Sequence, residues 1–187
     1  MTVWRANGPI EDLAFEIAAQ LTTNEERLIV VDAAGCFDPS RISRAAAAIA
    51  CNLHVIRAAR SSDLHGALWP VLQAARGGAC SIGRSLQNEK TQPRRILIAG
   101  MLDHLYGRDM LTRDAARALG RMKLVLEALT RSGLEVVVVC TADQADLGAR
   151  AYLLSSLCAS AHEVRHWRGE VPLTSKQYID GASAAIA

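Results

Sequence analysis

Apolar positions along the chain follow two periods. LIVVD at Leu28–Asp32, LHVIR at Leu53–Arg57, RRILIA at Arg94–Ala99 and LEVVVVC at Leu134–Cys140 are runs of strand length. Those at Leu28 and Leu134 are continuous rather than alternating, as expected of strands covered on both faces of a parallel sheet. Between the runs, apolar residues recur every three or four positions, the spacing of an amphipathic helix. Leu13, Ile17 and Leu21 predict a first helix over Pro9–Leu21, stopped by Thr22-Thr23-Asn24. Asp38–Ala50 reads as a second, with Arg41 and Arg44 on one side and a small Ala45–Ala48 face for close packing. A third opens at Ser61 or Ser62 and runs through Leu64, Leu68 and Leu72, where Pro70 should kink or shorten it. Leu111–Arg131 is the longest, with a stripe of Leu119, Met122, Val125, Leu126 and Leu129 and a stop at Gly133. Asp143–Leu157 is a further helix, and Glu163–Trp167 an edge strand.

Alternating strands and helices predict a three-layer α/β/α sandwich around a mostly parallel sheet. At 187 residues the chain suits one domain, here 1–173, followed by a weakly ordered tail at 174–187. Arg76–Pro93 breaks every period and is expected to be a mobile surface loop.

Composition narrows the class. Half the residues are apolar but only 4% aromatic, which fits helices packed closely on a sheet and excludes general disorder. Five widely spaced cysteines without a CxxC pair suggest reduced thiols in the cytoplasm rather than disulfides or a zinc knuckle. No signal core and no apolar stretch near the ~18 residues of a membrane span is visible, so no membrane association is expected. A net charge of +2 neither requires nor rules out nucleic acid.

The candidate chemistry centres on VDAAGCFDPSRI. Asp32 ends a strand and small residues follow, leaving open the carboxyl edge where α/β sheets place ligands. The plainer alternative is that Asp32 merely ends the strand while Asp38 or Ser40 caps the next helix. Cys36 is a candidate nucleophile with His54 or His65 as base, reminiscent of doubly wound cysteine hydrolases, although the lysine and the helix-start cysteine of such enzymes are missing. His162 and His166 stand four apart, as helical metal ligands would, yet Glu163-Val164-Arg165 alternates as a strand. Trp4, Trp69 and Trp167 read as core or edge packing, with Trp4 the alternative partner anchor.

From about Gly8 to Trp167, the order of VDAAGCFDPSRI, HVIRAARSSDLHGAL, RRILIAGML, LYGRDMLTRDAAR and LEVVVVCTADQ resembles the RecA superfamily core, a P-loop NTPase fold. That superfamily includes RecA-like recombinases and RecA-related accessory proteins of the ImuA and SulA type. The resemblance implies a P-loop before the first helix, an acid that orients water, a metal-binding aspartate and a polar sensor. Aligned on the helix, the P-loop Lys falls at Ile10 and its hydroxyl at Glu11, just after Gly8. Glu11 and Asp12 would themselves complement the helix dipole and repel phosphate. The water-orienting acid falls at Ala34, the metal acid at Gly100 and the sensor at Ala142, with Gln144 nearby. Asp103 is not expected to replace the metal acid, because the loop would have to curl back.

The implied protein is a degenerate, non-catalytic RecA-like accessory factor of DNA repair, recombination or the SOS response, without cofactor, metal or ATPase activity. A RecA paralogue with weak ATP binding is the further alternative. Implied partners are a second copy, a RecA-like or repair-polymerase protein, or DNA. Basic residues in the first half (Arg41, Arg44, Arg57, Arg60, Arg76, Arg84, Lys90, Arg94, Arg95) are individually expected to be solvated surface. Arg108 and the four-residue ladder Arg113, Arg117, Arg121 are better placed as a DNA or partner surface, with Arg84, Arg94 and Arg95 as further candidates.

Overall fold

In the computed structural model, which describes residues 1–22, 27–38, 52–76, 94–106, 110–141 and 150–167, six parallel strands form one sheet. They are β1 (Thr2–Ala6), β2 (Leu28–Asp32), β3 (Leu53–Arg57), β4 (Arg95–Ala99), β5 (Glu135–Thr141) and β6 (Glu163–Trp167), in the order β3-β2-β4-β5-β1-β6. The described helices are α1 (Ile10–Leu21), α2 (Ser61–Ala75), α3 (Asp103–Tyr106), α4 (Thr112–Arg131) and α5 (Ala151–Cys158).

Side chains alternate across each strand, and both faces are covered. Leu28, Val30, Leu97, Ala99, Val137 and Val139 pack with Leu13, Ala14, Ile17 and Ala18 of α1. Ile29, Val31, Ile96, Ile98, Val136 and Val138 pack on the other face with α2, α3, α4 and α5. With no face left to water, β2 is buried at every position and β5 at five of seven, which is why their sequences do not alternate. The α4 stripe Leu119, Met122, Val125, Leu126 and Leu129 is buried as its periodicity requires. Gly133, at φ +86°, ends the helix; its N–H reaches the Thr130 carbonyl and that of Leu134 the Leu129 carbonyl.

Two sequence expectations need correction. β1 was not anticipated, yet it lies inside the sheet between β5 and β6; five residues at the chain start, one of them Arg5, present too short and too mixed a pattern. Pro70 does not shorten α2, which runs through it to Ala75. Glu163–Trp167 is the edge strand expected. The helix expected at 39–50, the loop at 77–93, the residues 142–149 and the tail lie outside the described residues. No helix among the described residues is long and apolar enough to cross a membrane.

Candidate functional site

The connection from β1 to β2 crosses β5 and β4, whereas that from β5 to β6 leaves in the opposite direction. Such a reversal opens a crevice at the carboxyl ends of the strands. A cleft of about 400 Å³ lies there, lined by Gly8, Pro9, Ile10, Glu11, Ala34, Asp103 and Thr141. Gly8, Ile10, Glu11 and Ala34, four of the sequence candidates, therefore meet at one site.

Its wall at β1 is short. Ala6 ends the strand and Ile10 begins α1, leaving Asn7, Gly8 and Pro9 as the whole connection. Pro9 has no N–H, and the Asn7 N–H is held by the Trp167 carbonyl at 2.9 Å. A loop that wraps phosphate with successive backbone N–H groups cannot be made from these residues. Glu11 occupies the first turn of α1, where its charge complements the helix N-terminus.

The opposite wall corrects the expectation for Asp103. Gly100 takes φ +71° and turns the chain, and the Asp103 N–H closes the turn on the Gly100 carbonyl at 3.0 Å. The loop does curl back, and Asp103 lines the cleft. Desolvation raises its carboxyl to about 6, neighbouring His104 opposes the rise and Glu11 adds to it. His104 in turn donates from Nε2 to the Ala58 carbonyl at 2.8 Å, which fixes α3 to the end of β3. The cleft is thus acidic, and among the described residues lining it there is no cation.

Asp32 has a structural task. Its Oδ1 accepts the Cys36 N–H at 2.9 Å and its Oδ2 the Phe37 N–H at 3.0 Å, folding the chain after β2 into a tight turn. Arg57 completes the turn by donating to the Phe37 carbonyl at 3.0 Å. Cys36 is buried beneath it, and burial followed by the Asp32 charge pushes its thiol up to about 12, opposite to what a nucleophile requires. His54 alternates with Leu53 and Val55, which pack on the α1 face with Cys36, so its side chain is directed to the other face. Exposed His65 stacks on Trp69 at 6.4 Å. Neither histidine is on the Cys36 side of the sheet.

The remaining candidates are dispersed. Trp4 is buried, with the Arg165 guanidinium 5.3 Å above its ring, and is therefore no exposed anchor; Trp69 is exposed rather than packed in the core. His162 and His166 belong to an edge-strand region, and no group of three metal-ligating side chains occurs among the described residues. Arg95 donates to Glu135 at 3.0 Å and to the Leu21 carbonyl ending α1 at 3.0 Å, a structural role. Arg94 is exposed, while Arg84, Arg108, Ala142 and Gln144 lie outside the described residues. Arg113, Arg117 and Arg121 are exposed along α4; Arg117 contacts Asp114 at 3.7 Å.

Sequence reasoning missed Thr141 and set Asp103 aside. The available signal was Gly100 directly after an apolar strand, a position where a left-handed turn redirects the chain. Compared with known protein families and with curated proteins, the chain matches none.

Proposed function

We propose that the protein is a RecA-like domain that has lost nucleotide chemistry and acts as a non-catalytic accessory factor in DNA repair or recombination, through an arginine-bearing helix face. The observation that carries the first half is the cleft: Glu11 and Asp103 line the position where phosphates would sit, and no described lysine or arginine lines it with them. Phosphoryl transfer is almost wholly charge positioning, and two carboxylates place the wrong sign there. Ile10 and Glu11 replace the cation and hydroxyl that hold phosphate and metal in related domains.

The second half rests on α4. Arg113, Arg117 and Arg121 rise about 6 Å per step along its solvent face. Leu124 projects between Arg113 and Arg117 around the helix axis and is 65% exposed. A basic ladder with an apolar residue on the same line suits both phosphates and an acidic protein surface.

Calorimetry with ATP and Mg²⁺, beside a DNA titration at several salt concentrations, tests both halves. The expected result is no heat from ATP and salt-sensitive DNA binding weakened by Arg113→Glu/Arg121→Glu. Micromolar ATP affinity that responds to Glu11→Gln overturns the first half. Absence of DNA binding moves the arginine face to a protein partner or a second copy.

A further inference from the structure

On the sheet face opposite α1, β1 directs one charged side chain among the helices. Arg5 is in register with Cys140 of β5 and His166 of β6, and parallel pairing puts all three on the same face. Val3 and Cys140 mark that face as the one packed by the other helices. The Arg5 guanidinium is within electrostatic reach of Tyr106 on α3 and Cys158 on α5.

Two buried donors there have no acceptor among the described residues: Arg5 Nε and the Tyr106 hydroxyl. An unmatched buried donor costs about 1–3 kcal/mol, and a charged one more. Asp103, the nearest acid along the chain to Tyr106, acts on Tyr106 and Cys140 through its charge, yet neither Arg5 Nε nor the Tyr106 hydroxyl has a hydrogen bond to it. Desolvation holds the phenol protonated, so Tyr106 stays a donor. Arginine has donors only. His166, the register partner of Arg5 on the edge strand, is exposed beside it. The complement of such a set is a group that only accepts, and charge-assisted bonds from a guanidinium favour an anionic one.

We infer that Arg5, Tyr106 and His166 form a binding site for a small oxyanion of the phosphate or carboxylate class, entered from the β6 edge of the sheet. The site adjoins the acidic cleft through α3, which carries Asp103 at the cleft wall and Tyr106 among the helices on the Val3 face. It is independent of the RecA-like reading.

The test follows the arginine Nε–H resonances by NMR while inorganic phosphate, and separately acetate, is added against sodium chloride of equal ionic strength. One resonance, assigned by its loss in Arg5→Lys, should shift saturably in the millimolar range. Tyr106→Phe keeps the ring packing and should weaken the affinity about 5-fold, the equivalent of one net hydrogen bond. Response to phosphate alone identifies a phosphate site, and response to both identifies a general carboxylate and phosphate site. A shift reproduced by chloride, a response unchanged in Tyr106→Phe, or no saturable shift overturns the proposal and leaves water as the partner of the two donors. Should Arg5→Lys fail to fold, the Tyr106→Phe titration still decides, because an unaltered affinity removes Tyr106 from the site.

Discussion

Gly100 and Ala34 approach so closely that a Cβ on residue 100 would lie 2.3 Å from the Ala34 Cβ and 2.9 Å from the Ala34 backbone nitrogen. Gly100 also holds φ +71°, a conformation that L side chains seldom adopt. The contact joins the ends of β2 and β4 and fixes the turn that carries Asp103 into the cleft. Gly100→Ala should therefore destabilise the protein by about 3 kcal/mol or more, combining left-handed strain with a backbone clash. Denaturant unfolding measures this directly. Gly100→Asp, which restores the acid expected from the family resemblance, should unfold the site and confer no Mg²⁺ binding. At residue 100 it is the backbone, through its φ and its contact with Ala34, that excludes a side chain.

Asp32 is 2% exposed and accepts two backbone N–H groups. Asp32→Ala should cost about 2–4 kcal/mol, because both donors are left unmet in a buried turn. Asp32→Asn should cost less, since one acceptor oxygen remains. If a stability series shows Asp32→Ala to be neutral, the carboxylate does not hold the turn.

Asp103 makes stability depend on pH. Its folded-state value, about 6, lies above the 3.8 expected in the unfolded chain, so the folded state holds the proton more tightly. The resulting stabilisation is fully present below 3.8 and is lost as pH rises through about 6. Asp103→Asn removes this dependence and should gain on the order of 2 kcal/mol relative to the parent between pH 4 and pH 8. Parallel urea titrations at those two pH values give the comparison. Equal pH dependence in parent and variant would show that Asp103 ionises as a solvated carboxyl does.

Much of this architecture is legible in the chain because both sheet faces are buried. Continuous runs such as Val136–Cys140 and the α4 stripe state their environment directly. Asp32 was visible as a strand end, but its two oxygens could not be assigned to Cys36 and Phe37 without the turn between them. β1 was hidden because Arg5 interrupts it, and Arg5 is tolerated there only because the strand lies next to the sheet edge, where its side chain is half-buried. Asp103 was misplaced because the direction of a loop depends on a glycine dihedral, and spacing carries no sign of φ.

Arginines that look equivalent in the sequence separate once their contacts are known. Arg95 bridges Glu135 and the last carbonyl of α1, so Arg95→Ala should lower stability by about 1 kcal/mol and leave DNA affinity nearly unchanged. Arg113 and Arg121 are exposed and make no ion pair among the described residues. Their replacement by Glu should shift stability by no more than about 0.5 kcal/mol. On DNA the same pair should reduce the slope of log affinity against log salt by about 2, one for each phosphate contact removed. A slope unchanged by Arg113→Glu/Arg121→Glu but lowered by Arg95→Ala would place the nucleic-acid contact at the lower edge of the sheet, at the amino ends of β4 and β5. A slope lowered only by the α4 pair, with stability intact, separates the binding face from the framework that presents it.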